Sequence, residues 1–327
     1  MATATQIKSL LQSHGNRDDE RFYAIALQVA AAEARQGHEK LATEIRELVE
    51  QARRKAAGSK ASASILNLSA PQGEVAELLE SVSSDLTVRD LILEPALRER
   101  IDRILKEQQN LSRLKENGLR PRQRLLFTGP PGCGKTMTAS ALASELGLAL
   151  FVVRLDTLIS RFLGDSLSKL RLIFEAAERT RAVYLFDEFD SIGYSRDSFG
   201  EVGEMRRVLN SFLVFIERMR SNSLIIAATN HGDRLDRALF RRFDDLIEFG
   251  LPQEEQIVKT INTLLRGVDV GRLSWKRLLP AASGLSYSEI TRACEETIKQ
   301  KLIENRKAVT TEMLLTALTE RRLFLNH

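Results

Sequence analysis

Gly129-Pro130-Pro131-Gly132-Cys133-Gly134-Lys135-Thr136 ends one apolar run, Leu125 to Thr128, and opens an amphipathic one, Met137 to Leu148. The first run reads as a short buried strand. The second reads as a helix with Ala141, Leu142, Leu146 and Leu148 on its apolar side. A strand, a glycine-rich turn and a helix make a phosphate-binding loop. Gly132 and Gly134 let the backbone turn its N–H groups inward, and the helix N-terminus adds partial positive charge. This pattern assigns Lys135 to the β- and γ-phosphates of a nucleotide and Thr136 to Mg²⁺ through its hydroxyl. Gly129, Pro130, Pro131, Cys133 and Met137 complete the expected nucleotide-contacting segment. A chance glycine turn would not carry both the complete motif and flanks of the right periodicity.

The 327 residues allow two or three units with proper cores, and 43% hydrophobic with 28% charged residues excludes disorder as the bulk of the chain. A net charge of +4 permits a mildly basic surface but supplies no nucleic-acid-binding tail. Cys133 and Cys294 offer neither a disulfide framework nor metal-ligand spacing, which fits a reducing cytoplasm. The N-terminus lacks a charged-then-apolar leader pattern, and no run approaches the ~20 apolar residues that span a bilayer. The expectation is a cytoplasmic protein with no membrane partner.

Residues 1–57 alternate apolar and charged positions at helical spacing and read as a small all-α unit that binds a partner or substrate. Residues 58–84 begin with a stretch rich in Ala, Ser and Gly and are expected to be a linker. From there to 251, strands and helices alternate. Leu148 to Leu155, Ala182 to Phe186 and Leu224 to Thr229 are unbroken apolar runs suited to a parallel sheet covered by helices on both faces. Residues 252–327 carry helical periodicity alone and read as a lid.

The run Val183 to Phe186 ends in Asp187-Glu188. Alone, such a pair is more often a cap or a solvated turn. Downstream of a complete phosphate loop, it assigns Asp187 to Mg²⁺ and Glu188 to polarising a water for in-line attack on the γ-phosphate. Asp190 is expected to cap the segment C-terminal to it. Asn230 closes the next strand, expected beside the one bearing Asp187, where its amide can reach the attacking water or the γ-phosphate. Arg241-Arg242 would by default be a solvated patch, but a phosphate changing charge needs a cation, and these two can supply one to a neighbouring subunit's nucleotide.

The order from Gly129 through Asp187-Glu188, Thr229-Asn230 and Arg241-Arg242 to Gly284-Leu285-Ser286 resembles the AAA family of AAA+ ATPases, in the branch of protein-remodelling rings. The resemblance covers roughly residues 85–327. It implies a P-loop α/β fold with a helical lid, ATP and Mg²⁺ as ligands, a homo-hexamer with nucleotide between subunits, Asn230 as sensor and Arg241 and Arg242 as trans-acting fingers. Gly284 to Ile290 resembles the second sensor segment beside adenine, with Gly284 in the nucleotide site, and departs from the family's small residues at Tyr287 and Ser288. Glu217-Arg218-Met219-Arg220 stands where the family carries an Asp-Gly-Phe intersubunit segment. Ser160 to Ser166 resembles the central pore loop, so that Phe162 and Leu163 would engage a threaded polypeptide and Gly164 would let the loop bend.

These expectations point to an ATP-hydrolysing ring that remodels, disassembles or unfolds a protein client. Two other functions use the same chemistry. One is a nucleotide-dependent regulator or scaffold of a partner enzyme such as a protease. The other is a nucleic-acid-linked loader, for which no aromatic, basic platform is present.

Overall fold

Four of the six strands among the described residues arise from the continuous apolar runs. The computed structural model describes residues 25–26, 30, 73–158, 163–190, 201–232, 235 and 237–325. The chain divides into two compact units, Met1–Leu68 and Ser69–His327. Of the first unit only residues 25–26 and 30 are described, all helical, so the small all-α unit expected over 1–57 otherwise lies outside the described residues.

In the second unit the strands are β1 Leu79–Val82, β2 Arg124–Thr128, β3 Leu150–Val153, β4 Val183–Phe186, β5 Leu224–Thr229 and β6 Asp245–Glu248. They form one sheet in the order β1-β3-β4-β5-β2-β6. All neighbours are parallel except β1, which runs antiparallel to β3 with Leu79 opposite Val153. β4 and β5 are buried at every residue, as a sheet covered on both faces requires.

Two strands correct the expected outline. Residues 74–82, placed in the linker, form a short helix, Glu74–Leu78, and the edge strand β1. The physical reason is their partial burial at the sheet's edge: Leu78 and Leu79 are buried, while Glu80 and Ser81 face water, a pattern that an edge strand tolerates. β6 was also not anticipated, because three of its four residues lie outside the core.

The core on one side of the sheet joins the helix Pro95–Gln109 and the helix Lys135–Glu145 to β2, β4 and β5. On the other side the helices Leu163–Arg179 and Glu201–Arg218 meet β4 through an aromatic cluster. Phe174 lies 6.0 Å from Phe186 and 5.5 Å from Phe212, and Phe212 lies 5.0 Å from Phe186 and 4.7 Å from Phe189. Such ring pairs add about 0.5–1.5 kcal/mol each beyond area burial.

The helices Glu254–Leu264, Trp275–Ala282, Tyr287–Ile303 and Thr311–Leu325 build a separate core around Ile261, Leu278, Ile290 and Leu314. Among the described residues no helix is long and apolar enough to cross a membrane.

Candidate nucleotide site

Parallel strands deliver their C-terminal ends to one edge of the sheet, the usual place for a ligand in such folds. Here β2 delivers the phosphate loop, β4 delivers Asp187-Glu188, and β5, which lies between them, delivers Asn230. The helix after the loop starts at Lys135, two residues earlier than its periodicity indicates.

Two contacts tie these strand ends together. The Lys135 ammonium donates to the carbonyl oxygens of Gly129 (2.7 Å) and Pro130 (2.9 Å) and to Asn230 Oδ1 (2.8 Å). Burial holds its pKa below the ordinary lysine range, with Cys133, Asp187 and Asp190 pulling the other way. The Thr136 hydroxyl donates to Asp187 Oδ2 at 2.6 Å, and Glu188 N donates to the other oxygen, Oδ1, at 2.9 Å. Thus Asn230 contacts Lys135 directly. Gly129 and Pro130 act through their carbonyls on Lys135, while the cavity wall begins at Pro131.

Glu188 is exposed and has a backbone φ of 50°, in the left-handed region. This conformation costs a non-glycine residue roughly 1–2 kcal/mol. The turn is over-determined by its neighbours. Phe186 and Phe189 are buried on either side, and Phe189 N donates to Ala228 O of β5 at 2.8 Å. Asp190 accepts from Thr229 Oγ1 at 3.0 Å and so links the ends of β4 and β5. The residues it was expected to cap, 191–200, lie outside the described residues.

The loop glycines answer different demands. A Cβ on Gly129 would sit 2.0 Å from the Phe249 carbonyl oxygen, at the end of β6. A Cβ on Gly132 would meet Ser286 Oγ and Ser288 Cβ, both at 2.7 Å. The lid therefore rests on the phosphate loop, and Ser288 N donates to Gly132 O at 3.2 Å. Gly284 does not line the cavity; its φ of 84° turns the chain into the segment that reaches Gly132.

Between loop and lid lies a cavity of about 730 Å³, within the size range of small-molecule sites. Leu91, Ile92 and Leu93 form an apolar wall; Lys135, Thr136, Asp187, Glu188 and Asn230 form the polar end, and Met137 is exposed at its rim. Tyr287 lines the cavity half-buried, and burial pushes its hydroxyl pKa up to about 12. The lid adds Thr260, Thr263 and Leu264 from one helix and Thr291, Arg292 and Glu295 from another, none of them anticipated. Their spacing is a signal, since i, i+3 and i+4 positions share a helix face.

These residues fit a nucleoside triphosphate with its metal. Mg²⁺ is commonly held by one or two carboxylates together with substrate phosphates, and the Thr136 hydroxyl paired with Asp187 is such a donor set.

Arg241 and Arg242 stand elsewhere. They precede β6 on a turn beside the N-terminal end of β2, where Asp244 N donates to Arg124 O at 2.8 Å. β2 has five residues between that end and the phosphate loop, about 16 Å at about 3.3 Å per residue. Phe162 lies outside the described residues, and the helix after it begins at Leu163.

The chain is similar to proteins of one family. The family model for the ATPase family associated with various cellular activities (AAA) matches residues 125–251. An uncharacterised AAA family ATPase of Sinorhizobium fredii, y4kL, is 37% identical over 310 residues, covering 94% of this chain and 92% of that protein. A putative 26S proteasome regulatory subunit homolog of Methanothermobacter thermautotrophicus is 30% identical over 253 residues, 75% of this chain and 67% of that protein. The crystal structure of the FIGL-1 AAA domain in complex with ADP has the same fold, with a TM-score of 0.59 at 22% identity, covering 74% of this chain and 86% of that one. The chain belongs to the AAA family of ATPases.

Proposed function

We propose that this ATPase works as a ring, a homo-hexamer by family resemblance, that couples hydrolysis to remodelling, disassembling or unfolding a protein partner. The observation that carries this reading is the division of polar and charged groups between the two edges of one sheet. Lys135, Thr136, Asp187, Glu188 and Asn230 converge at the C-terminal edge. Arg241 and Arg242 sit at the other edge, where a second copy's nucleotide can meet them and their own cannot.

Each group then has a role. Lys135 exchanges the loop carbonyls for phosphate oxygens; Thr136 and Asp187 would hold Mg²⁺, which would supply positive charge to offset that of the phosphates. Glu188 takes the proton of the attacking water, Asn230 orients that water or the γ-phosphate, and an arginine from the neighbour stabilises the transferring phosphoryl group. Phe162 and Leu163 engage the polypeptide, and the helix that begins at Leu163 carries Phe174 into the aromatic cluster. A second reading, regulation of a partner enzyme such as a protease, draws support from the name of the archaeal relative, a proteasome regulatory subunit homolog.

The test is capture from native lysate with Glu188→Gln held in ATP, compared with Lys135→Ala. A protein retained only by the ATP-bound form is the expected result and names the client or partner enzyme. Nuclease-sensitive recovery of nucleic acid would replace the remodeller with a loader.

A further inference from the structure

The two arginines of the turn are not equivalent. Arg242 is ion-paired with Glu217 in the last turn of the helix Glu201–Arg218. Arg241 is exposed and has no acidic partner among the described residues. The turn itself is fixed. Leu239 and Phe243 are buried at its two ends, and Arg242 N donates to Leu239 O at 3.0 Å. Asp244 Oδ2 accepts from Gln123 N and Arg124 N at 2.8 and 2.9 Å. Only the arginine side chains are therefore left to exchange partners.

The helix that carries Glu217 in its last turn runs inward to the reaction centre. Phe212 is fully buried and touches Phe186 and Phe189, the two residues that bracket Asp187 and Glu188. From Glu217 to Phe212 is five residues, about 7.5 Å of rigid helix. A single element thus connects a turn facing outward with the turn that carries the subunit's own carboxylates.

Resting on the trans-acting reading of these arginines, we propose that Glu217 is a positioning residue whose pair with Arg242 competes with the γ-phosphate bound by the neighbouring subunit. When that nucleotide draws Arg242 away, Glu217 is left as an unpaired anion at the negative end of a helix dipole, an unfavourable place for it. The helix end readjusts, and Phe212 passes the change to the turn holding Asp187 and Glu188. A half-exposed carboxylate competes weakly for a guanidinium against a phosphate that accepts two parallel hydrogen bonds. The exchange is therefore possible only in an exposed pair such as this one. It also gives Glu217-Arg218-Met219-Arg220 a function in the region where the family's intersubunit segment is replaced.

The experiment measures ATP turnover in rings of full-length chain doped with increasing fractions of Lys135→Ala subunits, which present arginines but bind no ATP. If each active subunit needs a filled neighbour, random mixing at equal proportions leaves about a quarter of the undoped turnover, against about half for independent subunits. The curved dependence is expected for wild-type active subunits, and the proportional one for Glu217→Gln active subunits in rings of unchanged size and melting temperature. Identical curvature in wild-type and Glu217→Gln rings, or a proportional wild-type line, overturns the proposal. Trans action itself is read separately, from recovery of turnover when Arg241→Ala subunits are mixed with Lys135→Ala subunits, so either idea can fall while the other stands.

Discussion

The C-terminal edge of the sheet and its N-terminal edge solve opposite problems. At the first, the polar side chains already serve one another, Lys135 with Asn230 and Thr136 with Asp187. A nucleotide entering there must replace existing partners, so the site binds by exchange and its desolvation cost is partly met before the ligand arrives. At the second, the backbone is clamped by Asp244 while Arg241 projects with no acidic partner among the described residues. The first edge gathers its polar contacts within one chain; in the ring proposed above, the second would acquire its use from another copy.

The largest effects should come from deleting the key charge on each side. Glu188→Gln and Arg241→Ala are each expected to lower turnover by at least about 10²-fold. They differ in repair. Mixing Arg241→Ala with Lys135→Ala subunits should recover part of the turnover at hybrid interfaces, whereas mixing Glu188→Gln with Lys135→Ala should recover none. Recovery in both mixtures, read by phosphate release, would mean that the carboxylate too acts across the interface, and the contrast between the edges would collapse.

The next effects are on stability and grade the geometry of each edge. Gly129→Ala forces a methyl to 2.0 Å from the Phe249 carbonyl, at the β2–β6 seam. Overpacking of this kind costs about 1–3 kcal/mol or more. Gly134→Ala meets nothing within 4 Å and carries only the strain of a φ of 96°, about 1–2 kcal/mol. Asp244→Ala, at the arginine turn, removes the carboxylate that accepts two backbone N–H groups, but the site is exposed and water replaces it. About 1 kcal/mol is expected. Urea unfolding of the three variants should rank them in that order.

The same contrast explains what was legible in the sequence. The four central strands are continuous apolar runs because they are covered on both faces, and the phosphate loop announces itself by its glycines. β1 and β6 are short, charged and at the sheet's edges, so neither period nor composition separates them from loop. Asp187 beside Thr136 follows from motif order. The Lys135–Asn230 contact does not, because it depends on β5 lying between β4 and β2, a matter of topology rather than local pattern. The lid's share of the cavity was missed for a related reason: Thr260, Thr263 and Arg292 sit on ordinary amphipathic helices, and they line the cavity through the lid's placement on the phosphate loop, where Ser286 and Ser288 meet Gly132. The pairing of Arg242 with Glu217 joins residues 25 positions apart in two elements and has no sequence signature.

The smallest effect tests whether the strain at the C-terminal edge is functional. Glu188 holds a left-handed backbone that its neighbours impose: Phe186 and Phe189 are anchored in the aromatic cluster, and Phe189 N is tied to Ala228 O. Nothing in folding calls for a glutamate there, since its side chain is exposed. Glu188→Gly relieves the steric cost of the left-handed conformation and adds unfolded-chain entropy, which offsets part of the gain. The net expectation is a stabilisation of about 0.5–1 kcal/mol, a rise of about 1–4 °C in melting temperature, together with loss of turnover. A variant that is both more stable and inactive would show that the strain is tolerated for the carboxylate's position. A variant that melts lower would mean instead that the glutamate contributes to holding the turn, and the C-terminal edge would then be organised for stability as well as for chemistry.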